Sequence, residues 1–211
     1  LLTAYYPTWF FGLFTILFCL VYTFTTFDAM TNFVQSVFAL KRQMLLLGVW
    51  AIATLVPFLY VYMPILRQTG GQSYSSQLFY SLRPMDVFNG LTGSLVWGSL
   101  GRWIKRIAPN LWSSGEGIVG FTPDVLALLT LTLTRVWSPV GGLPAWTRTL
   151  ALTCILSLAL PLAIANHSLW YFVHLLVPGG SGIRAISRYY LFLSFPIALL
   201  ISLYLANVGQ R

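Results

Sequence analysis

Residues 8–27 read TWFFGLFTILFCLVYTFTTF, and residues 189–208 read YYLFLSFPIALLISLYLANV. Neither stretch holds a charged side chain. A helix needs about 20 mostly apolar residues to cross a hydrocarbon core, and both runs reach that length. The first is too long for a signal-peptide core and follows no basic segment, so it does not read as a secretory signal. Backbone groups in lipid must be satisfied within the spanning segment, and neither run alternates with period two. Both therefore predict membrane-spanning helices.

Composition extends this to the whole chain. Only 8% of its 211 residues are charged and 57% are hydrophobic, against about 25% charged in a soluble domain. Mean hydropathy is +0.78. These values exclude a disordered chain, a collagen-like fibre and a soluble enzyme. The 2 cysteines, Cys19 and Cys154, exclude a disulfide scaffold and a cysteine-based zinc site, and both are expected to pack in buried positions. The chain opens on Leu1, which predicts a fragment of a longer protein.

Three further apolar runs complete the expected architecture: Met44–Leu66, Thr122–Val136 and Leu150–Ala165. The last two are short and need local bilayer thinning to cross. The reading is all-α: a polytopic transmembrane helix bundle of about five spans, forming a single domain over 1–211. Pro57, Pro161 and Pro196 read as kinks within spans. Lys41-Arg42 and Arg135 mark membrane edges. Thr122-Pro123-Asp124 reads as a helix start, with threonine as N-cap, proline at the first helical position and an acid at the positive end of the helix dipole. Trp9, Trp50, Trp137, Trp146 and Trp170 fall near span ends, where aromatic belts sit.

Two connections are long: 67–121 and 166–188. They follow the second and fourth spans, so they share one face. That face carries Arg67, Arg83, Arg102, Lys105, Arg106, Arg184 and Arg188. The other carries Lys41, Arg42, Arg135, Arg148 and Arg211. The raw count favours long loops inside, but long loops cross largely regardless of charge, and orientation stays open at this point. Within the larger loop, 95–111 has helical period. Val96, Leu100, Trp103, Ile104 and Ile107 fall on one face, with Arg102, Lys105 and Arg106 pointing away. This predicts an interfacial helix with Trp103 and Ile107 buried and its basic side toward lipid phosphates. The segment 168–177 is too short to cross and ends at Pro178-Gly179-Gly180, which predicts a half-helix or interfacial helix.

The acids number only 4, so each can be weighed. Asp28 and Asp124 read as caps or interface charges. Asp86 reads as a solvated loop charge or a membrane-side ligand for substrate. Glu116 lies between Gly115 and Gly117, which permit tight turns and close ligand approach. His167 and His174 could share a helix face, but their spacing matches no metal motif. Arg184 and Arg188, four apart, would share a helix face at the start of the last span, where arginine grips phosphate or anchors to headgroups. Asn166-His167-Ser168 matches the glycosylation pattern beside the membrane. The sequence shows no phosphate-binding glycine loop, no catalytic triad and no nucleic-acid motif.

Two short elements carry a resemblance. Glu116-Gly117-Ile118-Val119-Gly120-Phe121-Thr122-Pro123 resembles a glutamate-glycine segment followed by a Phe-Pro-Gly-like turn. Pro178-Gly179-Gly180 with Arg184-Ala185-Ile186-Ser187-Arg188-Tyr189 resembles a Pro-Gly loop followed by an Arg-x-Pro-x-Arg-like element. With the hydropathy of residues 45–208, the chain resembles the later half of multi-pass bacterial membrane glycosyltransferases of the GT-C type. Ile186 stands where proline is usual, and the Phe-Pro-Gly turn is reordered.

The resemblance implies inverting sugar transfer from a polyprenyl-phosphate donor on the outer face of a bacterial plasma membrane. It also implies that the two long loops lie outside. No cofactor and no metal are expected. In such enzymes the catalytic carboxylate usually sits in the first outer loop, and nothing in this window matches it. Glu116, Arg184, Arg188 and Asp86 are then the expected substrate-binding residues, with Arg102, Lys105 and Arg106 on lipid headgroups. The expected partners are membrane lipids and the lipid-linked donor. A transporter or flippase-like protein and a non-catalytic membrane scaffold are the competing readings.

Overall fold

The structure is a computed structural model describing residues 2–25, 41–43, 45, 46, 49, 53, 56, 60, 64, 70–109, 120–138, 143, 144 and 146–209. The long helices are α1 (Leu2–Thr25), α5 (Pro123–Trp137), α6 (Trp146–Ala159) and α8 (Tyr189–Gly209). Between them lie the short helices α2 (Tyr74–Phe79), α3 (Gly90–Gly93), α4 (Gly98–Ile107) and α7 (Trp170–Leu176), and a hairpin of β1 (Ala163–Ile164) and β2 (His167–Ser168). The chain is mostly helical, as its composition requires.

Among the described residues two helices are long and apolar enough to cross a membrane: Tyr6–Thr25 and Ile186–Gly209. Only 22% and 28% of their most apolar windows are buried in the protein. Phe11, Ile16, Leu20 and Phe24 stand exposed on α1, and Leu191, Phe195, Leu199 and Leu205 on α8. A soluble protein rarely leaves so large an apolar surface to water. These faces point to membrane association. About five spans are not confirmed among the described residues. At 1.5 Å per residue, the 15 residues of α5 and 14 of α6 span about 22 Å, short of a hydrocarbon core of about 30 Å. Most of Met44–Leu66, all of 28–40 including Asp28, and Trp50 lie outside the described residues.

Helix α8 is central, packing against α1, α5 and α6, and α6 in turn packs on α1 and α5. End contacts fix the directions. Trp9 Nε1 donates to Pro178 O at 3.1 Å, and Phe121 lies 5.7 Å from Tyr190, ring to ring. The Tyr190 hydroxyl donates to Leu158 O near the end of α6, and Tyr189 OH bonds Ser157 Oγ. So α1, α5 and α8 begin where α6 ends. At the other end, Thr25 Oγ1 meets Thr149 Oγ1, and Arg148 Nε donates to Val136 O. An aromatic cluster seals the first end. Tyr189 packs against Phe10, Trp170 and Phe192, with its ring stacked on that of Phe192. Trp170, expected in a membrane-border belt, is fully buried in this cluster. Cys154 is buried, but Cys19 is exposed on the outer side of α1.

The start of α5 follows the sequence. Thr122 is extended, Pro123 takes the first helical position and Asp124 lies in the first turn. The Thr122 side chain makes no cap bond; Asp124 Oδ1 instead accepts from Trp97 Nε1. Pro196 lies inside α8, within an otherwise continuous helix.

Pro161 does not kink a helix; it lies just beyond the end of α6. It lacks the N–H that would continue the helical ladder, and Ser168 Oγ donates to the carbonyl of Leu160. The expected helix to Ala165 gives way to a hairpin whose two turn residues, Ala165 and Asn166, are left-handed, with φ of 49° and 64°. Positive φ at both central residues is the geometry of a type I′ turn. Leu82 extends this small sheet, donating its N–H to Pro161 O and accepting from Ala163 N.

Candidate functional site

The end of the bundle where α8 begins gathers the segments 70–83 and 161–188, both polar and turn-rich in the sequence. They interlock. Gln72 N–H donates to Ser181 O at 2.8 Å. The Tyr74 hydroxyl donates to Ser168 O and accepts from Ser168 N–H, and its ring packs edge-on against Tyr171.

Gln77 is the centre of the interlock. It is fully buried, a costly position for an amide unless every polar atom is paired. Its Nε2 donates to Gly180 O at 2.8 Å and to Ile183 O at 2.6 Å. Its Oε1 faces His174 Nδ1 at 3.0 Å. With both amide protons committed to carbonyls, Oε1 can only accept, so a neutral His174 carries its proton on Nδ1. The residue after Ile183 is Arg184, so Gln77 holds the backbone from which that arginine departs.

Arg184 and Arg188 both begin on this interlock and are both exposed. An Arg184 guanidinium N–H donates to the Tyr80 hydroxyl at 2.7 Å, and the group lies 5.2 Å from the Tyr80 ring centre. The Arg188 guanidinium lies 5.3 Å from the ring centre of Tyr6, on α1. Within about 6 Å a cation is attracted to the ring quadrupole. The expected shared helix face is not present. Arg184 sits in a bend and Arg188 ends a 3-10 turn, Ile186–Arg188, before α8 starts. Without a helix at 184–188, the four-residue spacing puts the two side chains on different tyrosines.

Asp86 is not a solvated loop charge. It is fully buried, and its Oδ2 accepts the N–H of Arg83 at 2.7 Å, closing the 3-10 turn Pro84–Phe88. A carboxylate three residues into such a turn satisfies a donor that would otherwise be orphaned. That burial withdraws Asp86 from direct contact with a substrate. Glu116 lies outside the described residues. Arg102, Lys105 and Arg106 are exposed on α4.

His167 lies in β2 and His174 in α7, so they share no helix face. Among the described residues, no three His, Cys, Asp or Glu side chains come together. Sequence reading passed over Gln77, Tyr80 and Tyr6. The one available signal for Gln77 was its position just before Leu78-Phe79 in a short run of helix-forming length.

No family model matches the chain, and no curated protein or solved structure is measurably similar to it.

Proposed function

We propose that the chain is part of a membrane glycosyltransferase-like protein that takes a polyprenyl-phosphate-linked sugar at the end of the bundle where α8 begins. Arg184 and Arg188 hold the phosphate there, on the outer face of the membrane. The carboxylate that activates the acceptor comes from outside this chain. The observation that carries the reading is the posture of the two arginines: exposed, steadied by Tyr80 and Tyr6, and set where an apolar helix face begins. Leu191 and Phe195, four apart at the start of α8 and so on one of its faces, are both exposed. A polyprenyl tail can lie along that face while its phosphate meets guanidinium donors, which recognise phosphate through charge-assisted bonds. The likeness of 178–189 to a Pro-Gly and Arg-x-Pro-x-Arg element supports the same reading.

The test uses the full protein in nanodiscs, with a short polyprenyl phosphate as probe. Arg184→Ala and Arg188→Ala are each expected to weaken binding by roughly 10-fold or more, the loss of one charge-assisted bond, with an unchanged melting temperature. Lysine at either position should restore only part of it. Unchanged affinity in both variants leaves the arginines as headgroup anchors. Release of labelled sugar from the lipid-linked donor, lost in the same variants, separates a transferase from a carrier that only binds the lipid.

The interlock makes a further expectation. Cysteines placed at Ser75 and Ser181 should label from the same side of sealed vesicles, and that side should be the outer one. Labelling from opposite sides would break the pairing of 70–83 with 161–184. Labelling of both from the cytoplasmic side would reverse the orientation.

A further inference from the structure

We infer that α4 is a membrane-surface anchor, lying along an anionic lipid interface with its apolar side in the acyl boundary and its basic side at the phosphates. The inference rests on the membrane association of α1 and α8 and is independent of the lipid-linked donor.

The helix forms where the sequence predicts one, over Gly98–Ile107. The protein itself does not cover its apolar side. Trp103 and Ile107 are 59% and 64% exposed, and Leu100 is 42% exposed. Gly98 and Gly101 are buried instead; a side chain at Gly98 would lie against the Arg102 guanidinium of the same helix, with the Thr92 carbonyl of α3 at 3.5 Å. The helix thus touches the protein along its glycine edge. Its apolar stripe, at spacings of three and four residues, and its basic stripe of Arg102, Lys105 and Arg106 both face outward.

Two observations say what covers the apolar stripe. The first is level. Ser94 Oγ caps the N–H groups of Val96 and Trp97, and Trp97 Nε1 reaches Asp124 in the first turn of α5. Val87 O accepts the N–H of Phe121, whose ring meets Tyr190 at the start of α8. These links hold α4 level with the beginning of a membrane-crossing helix, which is the depth of the bilayer surface. The second is charge. The ten residues of α4 carry three cations and no acid. An apolar face beside a basic one, at that depth, complements headgroup phosphates above an acyl region.

Nitroxide labels test this on the full chain with Cys19→Ser, in nanodiscs of phosphatidylcholine with or without phosphatidylglycerol. Labels at 100, 103 and 107 are expected to collide several-fold more with oxygen than with a water-soluble nickel complex, and labels at 102, 105 and 106 the reverse. Removing phosphatidylglycerol, or the triple change R102Q/K105Q/R106Q, should raise the nickel accessibility of position 103 or 100. All replaced residues except Cys19 lie on α4 and are exposed, so the variants should melt with the parent; one that does not is exchanged for Val96, exposed in the turn that leads into α4. Equal nickel accessibility at all six positions would place the helix in water and overturn the inference. Positions 100, 103 and 107 shielded from both reagents would mean a protein surface, such as a second copy, covers the stripe, and would also overturn it. Identical depth with and without phosphatidylglycerol would overturn the role of the basic face.

Discussion

Gly120→Ala is expected to lower the melting temperature of the solubilised protein by roughly 10 °C. A side chain at Gly120 would run into Asp86 O, Val87 O and Asn89 N. All three are backbone atoms of one tight turn. That turn is fixed from within by the Asp86 carboxylate and by the bond from Asn89 N–H to Asp86 O, and from outside by Phe121 N–H on Val87 O. Flexible side chains can give way to an added methyl, but backbone held at both ends cannot, so the cost should reach the upper part of the overpacking range, about 3 kcal/mol. Gly12→Ala is the control. Nothing lies within 4 Å of a Cβ there, and alanine favours a helix over glycine by up to about 1 kcal/mol. A Gly120→Ala protein melting with the parent, while Gly12→Ala behaves as stated, would show that 120 does not press on 86–89.

The residues that decide Gly120 show what the sequence could reveal. Gly120 entered the sequence reading only as one residue of the element Glu116 to Pro123. Its physical reason is the close approach of a distant turn, which no local pattern encodes. The long helices were legible because their signal is composition over some twenty residues, as in α1 and α8. The start of α5 was legible because Thr122-Pro123-Asp124 is a local rule. The end of α6 was misread. A proline inside an apolar run allows either a kink or a stop, and the choice depends on what the residues beyond it pair with. Here they turn into a hairpin, and Ser168 Oγ takes the Leu160 carbonyl left over at the helix end.

The site residues divide in the same way. Arg184 and Arg188 could be singled out because charge is scarce in this chain. Their partners could not, since Tyr80 and Tyr6 lie 104 and 182 positions away, and aromatic residues are common throughout. Asp86 misled for a related reason. Beside Arg83 and Pro84 it reads as surface loop, and only the fold buries it. The amphipathic pattern of α4 was correct as a pattern. What the pattern did not show is which edge meets the protein: Gly98 and Gly101 are buried there, and the apolar face is left uncovered by the protein.

Gln77→Leu should be the other most damaging single change, lowering stability by about 3 kcal/mol. The two side chains are similar in size, so the substitution leaves little cavity and isolates the polar loss. It removes the donor to Gly180 O and Ile183 O and the acceptor for His174 Nδ1. Each buried group left unsatisfied costs about 1–3 kcal/mol. Gly180 O keeps the N–H of Ile183 at 3.3 Å, so the loss falls mainly on Ile183 O and His174 Nδ1. His174→Ala should cost less, about 1 kcal/mol, since it leaves both carbonyl bonds in place. Because the two residues share one bond, the double variant should cost less than the sum of the singles. Thermal melts of the four proteins in one detergent provide the cycle. Strict additivity would mean that the Gln77–His174 bond carries no energy. A Gln77→Leu protein as stable as the parent would mean that the backbone leading into Arg184 is held by something other than this amide.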